Sequence, residues 1–202
     1  IFSEKASSNR PAGDNAINRL LDSVIGAYSP EHPEKSLHHL VRLYNKVFTI
    51  ENVYWKEQKL AEIKNLIEQC SGLFMEATSS SQYAVAGDST KITYTANNRA
   101  GINISKINVL IANKYFVLDC SKKNTNATFT DVRLNDLKST PTQPYWLQKP
   151  MNKGSFEISD QQLIGKPENN PVTAEFGVYI DSVYFTFNKP VRYKFTDPVK
   201  GE

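Results

Sequence analysis

The spacing of apolar residues changes near Gly72, and that change constrains the fold more than any other feature of the chain. From about residue 13 to residue 77 apolar side chains recur at three and four, the spacing of one helix face. Ile17, Leu20, Leu21, Val24, Ile25 and Tyr28 form a first stripe, with Asp14 placed to cap its start. Ser29-Pro30-Glu31-His32-Pro33 breaks that helix, because proline cannot continue one but suits the first turn of the next. Leu37, Leu40, Val41, Tyr44, Val47 and Phe48 mark a second helix. Trp55, Leu60, Ile63, Leu66, Ile67, Cys70 and Phe74 mark a third, opened by Glu51 and Asn52. Three such helices with short connections predict an antiparallel bundle over residues 1–78.

Beyond a Ser-rich loop at 79–82 the period becomes two, and β-branched and aromatic residues dominate. Strands are predicted at 82–86, 91–97, 104–112, 115–120, 128–134, 154–158, 173–180, 183–187 and 191–195. Turn signals separate them: Ala86-Gly87-Asp88, Asn97-Asn98, Asn113-Lys114, Asn169-Asn170-Pro171 and Asn188-Lys189-Pro190. Many short strands without interleaved helices predict an immunoglobulin-like antiparallel β-sandwich over residues 79–202. The expected class is therefore α+β, a helical bundle followed by a sandwich.

Chemistry is sparse. The 24 basic and 21 acidic residues are interspersed and leave a net charge of +3, so no basic face addresses nucleic acid or an anionic membrane. No apolar run approaches the roughly 20 residues of a membrane span. A chain that begins at Ile1 reads as a mature product or an excised segment. Cys70 and Cys120 are too few for a disulfide framework and read as two small buried hydrophobes. His38 and His39 are adjacent, so they point about 100° apart on a helix and cannot both face one metal; with His32 they read as surface or satisfied core residues. There is no HExxH, CxxC, Walker loop or GxSxG. Asp181, Asp197 and Glu202 are spaced as polar residues at strand ends, and the Gly165–Asn169 stretch reads as an exposed loop. Tyr28, Tyr44, Tyr54 and Trp55 fit a core stripe.

One stretch stands apart. In Thr142-Gln143-Pro144-Tyr145-Trp146-Leu147-Gln148-Lys149-Pro150 two large aromatics lie between prolines, as a sugar-stacking platform or as a plug for the end of a sandwich. Adjacent residues of an extended segment point to opposite sides, so one ring is expected inside and Trp146 is expected to be the more exposed. Leu147, Met151, Phe156 and Ile158 supply apolar surface to draw the segment inward.

Five stretches, in order over nearly the whole chain, resemble the region that follows the catalytic domain in bacterial GlcNAc-phosphatidylinositol de-N-acetylase-like (PIG-L or LmbE-like) proteins of Bacteroidetes type. They are AINRLLDSVIGAYSPEHPEKSLHHLVRLY, YWKEQKLAEIKNLIEQCSGLFMEA, YAVAGDSTKITYTANNR, PYWLQKPMNKGSFEISDQQLIGKPENNP and PVRYKFTDPVKGE. The resemblance implies an accessory segment of a zinc-dependent deacetylase-like parent, with the zinc held in a separate catalytic domain by a His-Pro-Asp-Asp type motif. That motif does not occur here, since His32-Pro33 continues as Glu34-Lys35, so no metal ligand or catalytic aspartate carries over. It also implies a periplasmic or outer-surface location, and as partners the catalytic domain and further C-terminal domains. Three readings follow: a non-catalytic structural module, a carbohydrate-binding module using Tyr145 and Trp146, and, ranked last, a small independent enzyme.

Overall fold

The computed structural model describes residues 12–136, 142–166, 172–196, 199 and 201. Three helices come first: α1 (Ala12–Ala27), α2 (Leu37–Phe48), entered through a 3-10 turn at Pro33–Ser36, and α3 (Val53–Ser71). α1 starts two residues before Asp14, whose side chain lies outside the described residues. α3 begins where its sequence says it should, because the Trp55 N–H donates to Asn52 Oδ1 at 3.1 Å. It ends at Gly72, which is left-handed at φ 64° and so closely packed that a Cβ there would lie 2.8 Å from Ala100 Cβ.

The chain leaves Gly72 directly into a strand, β1 (Leu73–Ser79), so Phe74 is a strand residue and not the end of the third helix. Six more strands follow: β2 (Ser89–Asn98), β3 (Lys106–Ile111), β4 (Lys114–Asp119), β5 (Asn126–Leu134), β6 (Thr173–Ile180) and β7 (Val183–Tyr193). They form one seven-stranded sheet in the order β4-β3-β6-β7-β1-β2-β5. Every neighbouring pair is antiparallel except β1 and β7, which run parallel.

The expected antiparallel immunoglobulin-like sandwich is therefore wrong: the sheet is mixed and rolls into a nearly closed barrel. Two local facts produce the difference. The predicted strands at 183–187 and 191–195 are one continuous strand, β7, because Asn188-Lys189-Pro190 does not turn. β7 pairs with β6 as far as Pro190 and with β1 from Val191, so the residue with no backbone N–H falls where the strand changes partner. The second fact is β1 itself, which supplies that new parallel partner. At the far ends of the sheet, β4 and β5 approach each other through Lys114 Nζ and Asp131 Oδ2 at 2.8 Å and through the Phe116 and Phe129 rings at 4.5 Å. Of the other predicted strands, 82–86 is irregular, and 154–158 is reduced to an isolated bridge between Asn152 and Ser155. The turn signal Asn169-Asn170-Pro171 lies outside the described residues.

The inward face follows from the registers. Ile107, Val109, Phe176, Val178, Phe185, Phe187, Ala77, Tyr94 and Ala96 all point inward and are buried. α2 and α3 pack on β7 where it has parted from β1: Tyr44 meets the Phe185 ring at 5.0 Å, Lys64 lies over Phe187, and Glu68 pairs with Lys189. Leu40, Val41, Ile63 and Ile67 thereby join the strand residues in one apolar core. Each fully buried aliphatic side chain of this kind contributes about 1.5–3 kcal/mol.

Candidate functional site

Tyr145 and Trp146 sit in a short 3-10 turn, Tyr145–Leu147, not in an extended segment. Both rings are half-buried, and they meet edge to face at 4.9 Å and 89°. The expected division into one inward and one outward ring does not appear, because the turn folds the two rings against each other. Perpendicular rings share no plane on which a sugar could lie. The Gly165 N–H donates to Tyr145 Oη at 3.4 Å, tying the loop to a neighbouring turn, while Leu147, Met151 and Phe156 remain exposed.

The titratable groups are dispersed. His38 Nδ1 donates to Asp181 Oδ2 at 3.0 Å, His32 meets Glu34 at 3.1 Å, and His39 turns a different way with Nδ1 buried. Asp197, Glu202 and residues 167–169 of the proposed exposed loop lie outside the described residues; Gly165 and Lys166 are exposed. Cys70 and Cys120 are both buried and free, as their apolar sequence surroundings suggest. Burial, with the Asp119 carboxylate adding to it, pushes the Cys120 thiol up to about 11. Among the described residues no group of three or more His, Cys, Asp or Glu is placed to hold a metal.

Two further surfaces stand out. The first is the corner between α2 and α3, where Phe48, Val53, Tyr54 and Trp55 are 55–65% exposed. Of the four aromatics assigned to a core stripe only Tyr44 packs inward; Tyr28, Tyr54 and Trp55 are exposed. The buried stripe of α3 consists of Ile63, Ile67 and Cys70, with Leu60 partly buried against the same core, while the first three residues of the helix are exposed. Lys56 and Lys59 lie over the Phe48 and Trp55 rings, each 5.9 Å from the ring centre.

The second surface is a cleft of about 530 Å³ at one end of the barrel, lined by Leu37, Ile102, Asn103, Tyr179, Asp181 and Ser182 among others. Its rim is the β6–β7 turn, in which Asp181 and Ser182 both take left-handed backbone angles (φ 47° and 66°). A two-residue turn with two positive φ values matches the twist of the strands it joins. The opposite wall, residues 101–104, hangs on Asn98. Asn98 Oδ1 accepts from the N–H groups of Gly101 and Ile102, both at 3.0 Å, and Nδ2 donates to the Ile102 carbonyl at 2.9 Å.

Next to the cleft, on the outward face of the same hairpin, Tyr179 and Tyr184 lie opposite each other with ring centres 4.9 Å apart. Tyr184 is laid across Gly177: a Cβ at that glycine would meet the tyrosine hydroxyl and sit 2.5 Å from its Cζ. A glycine in the middle of a strand is the one sequence signal that pointed here, since it marks a close approach to the backbone.

No family model matches the chain, and no curated protein matches it. Among solved structures it is similar to the Pseudomonas fluorescens alkylpurine DNA glycosylase AlkC bound to DNA containing an abasic site analogue, at 10% identity and a TM-score of 0.25. The match covers 94% of this chain and 56% of that one, so this chain spans about half the length of that glycosylase. At this level of similarity neither fold nor activity transfers.

Proposed function

We propose that the chain is a non-catalytic accessory module of a deacetylase-like parent, and that its α2–α3 corner packs against the parent's catalytic domain. The observation that carries this reading is the exposure of Phe48, Val53, Tyr54 and Trp55 together across one helix–helix turn. Single exposed apolar residues are ordinary, but four of them within eight residues, with the Tyr54 and Trp55 rings 5.4 Å apart, suit a contact surface. Tryptophan and tyrosine are also the residues on which interface energy concentrates. The resemblance to the region after a PIG-L-like catalytic domain names the partner, and the zinc of such a parent would sit in that domain.

The non-catalytic part of the proposal rests on the sequence, which offers no nucleophile–base pair or ligand motif. A periplasmic or outer-surface location follows from the same resemblance. Among the described residues no helix is long and apolar enough to cross a membrane.

Titration of this segment with the separately produced catalytic domain of its parent tests the proposal. Trp55→Ala combined with Tyr54→Ala should weaken association by about a hundredfold, as loss of two interface anchors does. The thermal midpoint of the segment alone should move little. Undiminished association of the double variant, or none between the unaltered pieces, refutes the reading.

A further inference from the structure

The outward face of the β6–β7 hairpin carries two exposed tyrosines beside a cleft, a surface that docking at the helical corner does not use. We propose that this face, with the cleft at its end, binds a neutral carbohydrate chain. The site is separate from the α2–α3 corner and does not depend on the proposal made for it.

A pyranose ring has a face of C–H groups and a rim of hydroxyls. Its receptor therefore needs an exposed aromatic ring, and donors and acceptors around the edge of that ring. The hydroxyl end of Tyr184 occupies the space that a side chain at Gly177 would fill, so the ring reaches across the strand while 43% of the residue stays exposed. A tyrosine covering a glycine is also a device that stabilises strands. The cross-strand pair of Tyr179 and Tyr184, tilted by 51°, serves the strands in the same way, but Tyr179 is also 62% exposed and brings a second ring to the mouth of the cleft.

The polar rim is present. Asn103, Asp181 and Ser182 line the cleft that Tyr179 enters. The Asp181 carboxylate accepts one hydrogen bond from His38, which fixes its orientation and leaves further lone pairs for hydroxyl donors. On the sheet, Thr186 stands directly across from Gly177, with Asn108 on its other side. The cleft volume of about 530 Å³ lies within the usual range for small-molecule sites. Its continuity with an open sheet face suits a chain running across the surface more than an enclosed single sugar.

Charge narrows the ligand class. Asp181 and Glu175 disfavour a phosphate or uronate, and Lys106 on the same face has Asp119 directly opposite it in register. These charges argue against an anionic polymer and are compatible with a neutral one, the class that stacking on tyrosine and hydroxyl contacts at the rim would hold.

The test is affinity electrophoresis and calorimetry of the 202-residue chain with cellulose, xylan, mannan and chitin fragments, each soluble and neutral. At least one should bind. Tyr179→Ala and Tyr184→Ala should each weaken that binding by about tenfold or more, the effect of removing one stacked aromatic. Gly177→Val should do the same with both tyrosines present, because its side chain lifts the Tyr184 ring from the sheet. Tyr184→Phe keeps the ring and should retain binding, which separates loss of stacking from misfolding. Trp146→Ala and Trp55→Ala should leave binding unchanged. The proposal is overturned if no fragment binds, if binding survives Tyr179→Ala with Tyr184→Ala, or if those variants instead abolish self-association, which would make the face a protein interface.

Discussion

Asn98→Ala should destabilise the chain by about 2–4 kcal/mol, a large effect for a residue that carries no chemistry. Asn98 is 1% exposed at the last position of β2. Its side chain accepts from two backbone N–H groups at 3.0 Å and donates to the Ile102 carbonyl at 2.9 Å. A fourth bond, to the Cys120 carbonyl, is stretched to 3.4 Å and counts for little. Three good bonds at a net ~0.5–1.5 kcal/mol each give about 3 kcal/mol. Orphaned backbone groups would add to this, but Gly101 is exposed and Ile102 half-buried, so water replaces part of what is lost. Urea unfolding followed by circular dichroism measures the loss, which should appear as a lower midpoint at unchanged slope. Hydrogen exchange should show residues 101–104, the cleft wall, opening more readily than β2 itself. Asn98→Asp keeps the acceptor but buries a charge, so its deficit should shrink as the pH falls and the carboxyl is protonated. A loss under about 1 kcal/mol for Asn98→Ala would show that the loop is held by something other than this side chain.

Leu40→Ala should cost about 2–5 kcal/mol while Trp55→Ala costs less than about 1 kcal/mol in the same chain, measured by urea unfolding, because only the first side chain leaves a cavity. Lys114→Met should cost at most about 1 kcal/mol, a cost that shrinks with added salt, whereas Phe129→Ala at the same barrel seam should cost roughly 2 kcal/mol regardless of salt. In a Cys70→Ser background the native chain should not react with an aromatic disulfide reagent at pH 8, since Cys120 is buried and its thiol is held up to about 11. The same shift predicts that Cys120 stabilises the fold fully below its ordinary value near 9, and that this part is lost as the pH rises through about 11. The lost amount is about 2–3 kcal/mol, and an unfolding free energy that stays flat over that window relative to Cys120→Ala would contradict it.

The helices were legible because their burial follows their own period. Leu37, Leu40, Val41 and Val47 face inward at the spacing that predicted α2, and Asn52 caps α3 from the position its sequence suggested. β6 was predicted at 173–180 and is found there. β1 was missed because Cys70 and Phe74 are four apart and continue the helical stripe, although Leu73, Met75 and Ala77 already alternate. Only the left-handed Gly72 separates the two readings. β7 was split because Asn188-Lys189-Pro190 has the composition of a turn. What overrides that composition is pairing on both sides, with β6 before the proline and β1 after it. The parallel contact of Ala77 with Val191 joins residues more than a hundred positions apart, and no local pattern announces such a contact. Without it the remaining antiparallel strands look like a sandwich.

The proposed surfaces were only partly legible, for a related reason. Period identifies which side chains share a face, but whether that face is covered depends on what the rest of the chain brings to it. Trp55 belongs to a helix whose buried stripe begins only at Ile63, and it stands exposed in the first turn. Tyr145 and Trp146 drew attention as neighbours in sequence, yet their shared turn sets the rings at right angles. Tyr179 and Tyr184 are five residues apart, and the Asp181–Ser182 turn places them opposite each other across the hairpin. A ring can reach across a strand only if its neighbours leave it room. In this chain that condition is met by Gly177, the position at which the barrel gives up side-chain packing on its outer face and leaves the space that the hydroxyl end of Tyr184 fills.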